Sequence, residues 1–299
     1  MTVNKKHKRK AEKTSWLVHI FFILFGLVCL IPFITVISIS LTNEIELANN
    51  GFSIFPGKAD LTAYRYLLEN PKIVIDAYKI TIFITVVGTF LSTLLVSMAA
   101  YSLSRKRFIL RKVLNWYLFI PTLFGGGLAA SYVINTQYLH LNDNIWVLIL
   151  PGLIGVFNVF MIRTFFQQLP ESLFEATKMD GGSEYTVYFR IAMPLSKPVL
   201  ATVAFLDALE RWNSWYNAML YIRNKELVPL QYLLQKMMRE VSSILSEMDN
   251  MPSGIDIKEL PGENLRMAML VVSIGPMMCF FPFFQKYFVK GMTVGSVKG

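Results

Sequence analysis

Few side chains in this 299-residue chain could do covalent or metal chemistry, and their spacing excludes most of it. Cys29 and Cys279 lie inside apolar runs without C-x-x-C spacing, so neither a metal site nor a disulfide framework is suggested. His7 sits in a basic segment, His19 at the edge of an apolar run and His140 in a short polar stretch, and no H-E-x-x-H pairing makes a zinc site. The glycines of GMTVGSVKG (291–299) lack the G-x-x-x-x-G-K-[ST] spacing of a phosphate loop, and no helix follows to hold an anion. What remains is charge and hydrogen bonding, concentrated in two places. One is the glycine-broken stretch EATKMDGGSEYTVYFRIAMP (Glu175–Pro194). The other is a stripe of Asp207, Glu210, Arg211, Ser214 and Asn217 at i, i+3, i+4, i+7 and i+10, one face of a helix.

The elements that position these groups read as membrane spans. Hydrophobic residues make up 54% of the chain and charged ones 16%, with mean hydropathy +0.46, where soluble domains carry about a quarter charged residues. About 20 apolar residues at 1.5 Å each cross a hydrocarbon layer of roughly 30 Å. Six runs reach that length: Leu17–Leu41, Ala77–Leu103, Val113–Ile134, Ile145–Phe166, Val199–Tyr221 and Met267–Phe288. The expected fold class is therefore all-α, a polytopic membrane protein with six transmembrane helices. The first run follows the basic KKHKRKAEK, yet it is too long for a signal peptide and lacks an A-x-A-like cleavage site, so it is expected to stay.

Placing the N-terminus inside puts most Lys and Arg on the cytoplasmic side: in the tail, the 102–112 loop, the 163–198 region and the C-terminus. The outer loops hold Lys58, Arg65 and Lys72, then Arg223, Lys225, Lys236, Arg239 and Lys258, spread among acids. The net charge of +9 is on this reading a topology signal, and nucleic acid is not an expected partner. Pro32, Pro121 with Gly125–Gly127, Pro151 with Gly152, and Pro276 with Pro282 interrupt the runs. Bent helices around a cavity and ordinary close packing both account for them.

A charge at mid-bilayer costs roughly 2.5–3.5 kcal/mol on insertion scales, so the Asp207–Asn217 stripe is expected to face a partner helix or water. Two readings fit it: Asp207 and Arg211 neutralise each other across one turn, or the stripe touches a permeating solute. Trp212, Asn213, Trp215 and Tyr216 add rings and amides suited to stacking on sugar faces and bonding hydroxyls, or they form an interfacial aromatic belt. Leu230, Leu233, Leu234, Met237, Met238, Val241, Ile244, Leu245 and Met248 predict a long amphipathic helix before the last run.

In the charged stretch, Leu169, Leu173 and Ala176 recur at i, i+4 and i+7 around Pro170, with Gly181 and Gly182 as a stop. Ser183 caps a second short helix carrying Tyr185, Tyr188 and Phe189, which Pro194 is expected to end before Ser196 and Pro198 start the fifth run. By amphipathicity alone such a pair could lie on lipid. The pattern E-A-A, three residues, G, nine residues, I-x-L-P marks the permeases of ABC importers, and Glu175, Ala176, Gly181, Ile191 and Pro194 occupy it. Thr177 stands where a second Ala is usual and Met193 where Leu is usual. AAYSLSRKRF, FNVFMIRTFFQQLPESLFEA, WNSWYNAML and YFVKGMTVGSVKG, in that order, resemble the maltose-type, carbohydrate-importing branch along nearly the whole chain.

The resemblance implies a cytoplasmic tail at 1–16 and a transmembrane domain at 17–290. Within that domain it implies coupling helices at about 170–192 and an external amphipathic helix at about 229–248, with a C-terminal tail at 291–299 that reaches between ATPase subunits or simply frays. Both termini would be cytoplasmic. It further implies that Glu175, Ala176, Thr177, Asp180, Gly181, Ile191 and Pro194 couple to an ATPase. Glu175 would pair with a basic group there, or serve only its own helix dipole. Asp207, Glu210, Arg211, Asn213, Ser214, Trp215 and Asn217 would line the translocation path. The partners implied are two ABC ATPase subunits, a second homologous permease, an extracytoplasmic solute-binding protein and the lipid bilayer, with no cofactor. The outer insertion resembles permeases for larger oligosaccharides. A secondary transporter of a small polar solute would need repeated halves and would leave the cytoplasmic helix pair unexplained. A membrane enzyme would need a nucleophile, an acid/base pair or a metal set, and none assembles in the sequence.

Overall fold

The computed structural model of the protein describes residues 3–55, 59–248 and 262–296. Every regular element among them is helical, and the isolated bridge Thr42–Ala59 is the nearest thing to a sheet. In chain order these are α1 (Val3–Ser40), α2 (Glu44–Asn50), α3 (Thr62–Leu67), α4 (Pro71–Ser104), α5 (Arg111–Leu123) and α6 (Gly127–Val133), the last continued by a π turn at Ile134–Tyr138. A 3₁₀ turn at Ile145–Leu148 precedes α7 (Val156–Gln167), α8 (Glu171–Met179) and α9 (Glu184–Val187). A second π turn, Tyr188–Ala192, leads into α10 (Met193–Leu195), α11 (Lys197–Trp212) and α12 (Tyr216–Tyr221). After a 3₁₀ turn at Lys225–Leu227 come α13 (Leu230–Met248) and α14 (Glu263–Ser296).

Three of the expected runs form helices long and apolar enough to cross a membrane: Trp16–Ser40 in α1, Pro71–Ser104 and Glu263–Phe283 in α14. The basic segment expected as a tail continues α1 back to Val3, and α14 runs on to Ser296. Lys58, Lys258 and residues 297–299 of the expected C-terminal tail lie outside the described residues.

The middle runs depart from straight spans, each at a residue with a reason. Val113–Ile134 bends by 118° between α5 and α6, after Pro121 and at Gly127, whose φ is +78°. Ile145–Phe166 is not one helix. The 3₁₀ turn gives way to an irregular segment through Pro151 and Gly152 (φ +81°), and α7 has 12 residues, about 18 Å, too short for the hydrocarbon layer. Val199–Tyr221 breaks after Trp212, so the Asp207–Asn217 stripe keeps its helical register only as far as Arg211. Among the described residues three helices are thus long and apolar enough to cross, or up to five if each bent pair counts as one span.

The chain packs as two units, 1–71 with 238–275 and 72–237 with 276–299. In the first, the most apolar stretch of α1 (mean hydropathy 3.0) buries none of its side chains within the chain, as expected of a helix whose solvent is lipid or another subunit. Polar caps hold the rest. Asn43 Oδ1 accepts from Ile45 N (2.9 Å), and the Asn43 amide donates to Asp60 (2.7 Å). The Glu44 carboxylate accepts from Glu263 N (3.2 Å) and Asn264 N (3.1 Å), satisfying two orphan donors at the start of α14. A Cβ on Gly262 would stand 2.5 Å from Glu44 Oε1, so the carboxylate would have to shift to accommodate one.

In the second unit α4 is the central post, and its buried positions Ile84, Ser92, Val96, Ala100 and Leu103 follow helical spacing along one face. One apolar cluster gathers Val96, Ala100 and Tyr101 with Val159, Ile162 and Phe166 of α7, Phe174 of α8, Val187, Tyr188 and Val203. A second gathers Ile84 with Val147, Ile149, Leu153, Ala218 and Tyr221. On α4, Gly88 and Ser92 fall between the two. There Arg211 Nε donates to Asp207 Oδ2 (2.7 Å), Ser92 Oγ donates to Asp207 Oδ1 (3.1 Å), and Arg211 Nη1 donates to the carbonyl of Ile149 (3.2 Å). Asp207 and Arg211 are 5% and 7% exposed. A Cβ on Gly88 would lie 2.6 Å from Arg211 Nη1, so the absence of a side chain makes room for the guanidinium. At one end of the unit Asp143 accepts from the backbone N–H groups of Arg223 (2.9 Å) and Asn224 (2.8 Å), which hold its carboxyl below the usual carboxylate range.

Replacing Arg211 by Leu leaves a buried carboxylate without its cation and is expected to cost about 3–5 kcal/mol, read as an earlier loss of monodisperse protein on heating detergent extracts. The double change Asp207→Leu with Arg211→Leu should recover most of that loss. Equal losses in the single and double variants would dismiss the ion pair as the cause.

Candidate functional site

The segment Glu171–Leu195 is a helix, a tight reversal and a second helix. Pro170, with φ −58°, precedes α8, and Asp180 closes it. Gly181 adopts φ +80°; its N–H bonds the Lys178 carbonyl (3.0 Å) and the Gly182 N–H bonds that of Thr177 (2.9 Å), the paired bonds of a Schellman cap. The two glycines serve different needs. Gly181 has open space around it but a left-handed backbone, whereas a Cβ on Gly182 would sit 2.7 Å from the Thr177 carbonyl oxygen. Ser183 Oγ then accepts from Thr186 N (3.3 Å) and caps α9.

Pro194 was expected to end the second helix; it lies inside α10, and the helix ends one residue later, at Leu195. The π turn at Tyr188–Ala192, in which Met193 N reaches back to the Tyr188 carbonyl, precedes Pro194 and lets it enter α10. The wider turn relieves a proline that lacks an N–H and crowds the carbonyl four residues back. The direction changes by 81° at the following junction, Leu195 to Lys197.

Tyr101, near the end of α4, fastens this reversal. Its ring meets Phe166 edge-on (5.9 Å between centroids), Phe174 (6.5 Å) and Tyr188 (5.3 Å), and its hydroxyl donates to Glu184 Oε2 (2.7 Å). Lys178 pairs with the other oxygen of Glu184, tying α8 to α9 across the glycines. One turn on from Tyr101, Arg105 lies over the Phe174 ring (4.4 Å) and 3.6 Å from Glu171. Tyr188 Oη and Ser97 Oγ are 2.7 Å apart. Ring contacts of Tyr101, the Arg105–Glu171 pair and two side-chain hydrogen bonds therefore join the reversal to α4 and the residue that follows it, while the Lys178–Glu184 pair ties α8 to α9.

The amphipathic face of α8 is not the one its spacing predicted. Phe174 is the buried anchor, whereas Leu173 is 41% exposed and Ala176 is exposed too. The outward surface carries Glu175, Ala176, Asp180 and Gly181, with Met179 (88% exposed) and Tyr185 (70%) beside them. Thr177 is half-buried, its hydroxyl donating to the Leu173 carbonyl (2.9 Å). Ile191 is half-buried and Pro194 exposed.

The second group of expected site residues is divided. Asp207 and Arg211 are buried in their pair, and Glu210 is exposed. Asn213 is exposed, donating to the Leu209 carbonyl (2.8 Å) and accepting from Gln231 of α13 (3.3 Å). Ser214, Trp215 and Asn217 are half-buried, and the Trp215 ring stands edge-on to Tyr216. Among the described residues no cluster of His, Cys, Asp and Glu could hold a metal. Tyr101, Arg105, Lys178 and Glu184 escaped the sequence reading. Their one signal is a Tyr and an Arg four residues apart where an apolar run ends.

The family of inner-membrane components of binding-protein-dependent transport systems matches residues 92–294. The chain is 36% identical over 283 residues to the polygalacturonan/rhamnogalacturonan transport system permease protein YtcP of Bacillus subtilis, covering 95% of this chain and 97% of the relative. It is 37% identical over 303 residues to protein LplC of the same organism, covering 99% of each. A crystal structure of a bacterial ABC transporter involved in the import of the acidic polysaccharide alginate contains a chain that superposes with TM-score 0.76 at 28% identity, covering 94% of this chain and 98% of that one. The chain belongs to the permeases of binding-protein-dependent ABC transport systems, as a non-catalytic, multi-pass component of the cell membrane.

Proposed function

We propose that this chain is the permease subunit of an ATP-driven importer of carbohydrate, in particular oligosaccharide, and that the Glu171–Leu195 reversal receives force from a separate ATPase. One observation carries the reading. The reversal is fastened to α4 through Tyr101 and Tyr188, yet its outward surface leaves Glu175, Ala176, Asp180, Met179 and Tyr185 uncovered. A surface so braced moves as one piece with the helix behind it. Small residues at Ala176 and Gly181 admit close approach, and Glu175 offers a charge to a basic partner.

In the full assembly the chain crosses the membrane six times with both termini in the cytoplasm, the bent segments counting among the crossings. It works with two ABC ATPase subunits, a second homologous permease and an extracytoplasmic solute-binding protein, and α13 lies on the outer side. The substrate class draws on the relatives. Besides YtcP, the chain is 27% identical over 296 residues to an arabinooligosaccharides transport system permease of Halalkalibacterium halodurans.

Of the two readings of the polar stripe, we favour the structural one for Asp207 and Arg211, supported by the pair they form and by the bond of Arg211 to Ile149. Glu210, Asn213, Ser214, Trp215 and Asn217 are the groups offered to solute.

Gly181→Val forces a β-branched residue into the left-handed region, at a cost of at least about 1–2 kcal/mol. It is expected to uncouple uptake from ATP hydrolysis in proteoliposomes of the assembled transporter while membrane insertion persists; unimpaired uptake would refute the force-transfer role. Asn213→Ala or Trp215→Ala is expected to lower the uptake rate with ATPase co-purification intact, and wild-type rates in both would remove these residues from the path.

A further inference from the structure

Beside the reversal lies a cavity of about 150 Å³ whose basic residues Lys106 and Arg111 have no part in the transport reading. Arg105, Lys106 and Arg111 line it, together with Gln167, Glu171 and Phe174. Three cations thus face one carboxylate, and that carboxylate stands 3.6 Å from Arg105, beyond good hydrogen-bonding distance. Arg105 is already engaged over Phe174. Among the described residues no carboxylate pairs with Lys106 or Arg111. A fourth cation adds to the imbalance. Arg163, one turn before the lining residues Phe166 and Gln167, donates from Nη1 to Asn115 Oδ1 (2.7 Å), and its buried Nε has no hydrogen-bond partner.

Like charges collected in a partly enclosed site repel unless an anion joins them. The surroundings say which kind. Ile109, between the cations in sequence, is 94% exposed, and Leu110 and Val113 are 54% and 64% exposed. Bare aliphatic side chains beside a basic pocket have no use for a free inorganic ion, but they suit acyl chains whose headgroup occupies the cations. We propose that this cavity binds the phosphate of an anionic phospholipid, with Lys106 and Arg111 as the principal ligands.

The test uses the full-length chain in nanodiscs of mixed phosphatidylglycerol and phosphatidylcholine, with retained lipid counted by native mass spectrometry. Phosphatidylglycerol should be retained in preference. Lys106→Gln and Arg111→Gln should each lower that retention about fivefold, the usual worth of one basic group near an anionic headgroup. Arg111→Lys, which keeps the charge, should retain most of it, and Lys112→Gln, next in sequence but not lining the cavity, should change little. Lys106→Gln, on an exposed side chain, carries the test if Arg111→Gln fails to fold. Equal retention of the two lipids, or an equal loss in Lys112→Gln, would overturn the proposal in favour of diffuse surface attraction. Displacement of the lipid by inorganic phosphate at comparable concentration would overturn it in favour of a soluble anion. Unchanged lipid retention with lost ATPase co-purification, in the assembled transporter, would make the cavity a protein-docking site instead.

Discussion

Where an apolar helix stops inside a bilayer, its last carbonyls lose their donors and hydrocarbon offers none, so a chain broken this often must supply donors from its own side chains. The Arg211 guanidinium does this for Ile149, at the point where the 3₁₀ turn Ile145–Leu148 gives way to an irregular backbone. Its charge is balanced by Asp207, which is steadied in turn by Ser92. Gly88 leaves the space in which the guanidinium lies. Three segments distant in sequence meet at this one polar knot, with an apolar cluster on either side. A buried pair of this kind stabilises little in net terms against an apolar alternative. What the pair does is tie α4, α11 and the irregular segment to one another through groups that would each be costly to bury alone.

The same economy of polar groups appears around Tyr101. A single ring fills the space between α7, α8 and the π turn, and its hydroxyl reaches the carboxylate that Lys178 also holds. The reversal consequently has a braced inner face and an exposed outer one. In the proposed transport role, displacement of the outer face passes to α4 through aromatic packing, which is stiff in compression because interiors are densely packed.

Legibility in the sequence followed range. The glycine stop at Gly181 and Gly182, the Ser183 cap and the motif of Glu175, Ala176, Ile191 and Pro194 could be read directly, because a Schellman cap and an N-cap are set by residues within a few positions of one another. The face of α8 was read wrongly. Leu173 and Ala176 satisfied the spacing rule as well as Phe174 did, and the choice fell to Phe174 because Tyr101 and Arg105, some seventy positions earlier, provide a ring and a cation for it. Pro194 likewise acted as a stop signal on local rules, but the π turn before it absorbed the missing donor.

The sequence by itself determined that this is a helical membrane protein, which of its segments are apolar, and to which transport family it belongs, since hydropathy and short motifs survive without knowledge of neighbours. Tertiary structure alone decided which apolar runs are straight and which are bent, and that Asp207 and Arg211 close on each other. It also decided that the basic residues after α4 surround a cavity. The physical reason is common to all three: the cost of a broken helix or a buried charge depends on whether a partner stands within about 3 Å, and the partners here come from segments that no local pattern connects.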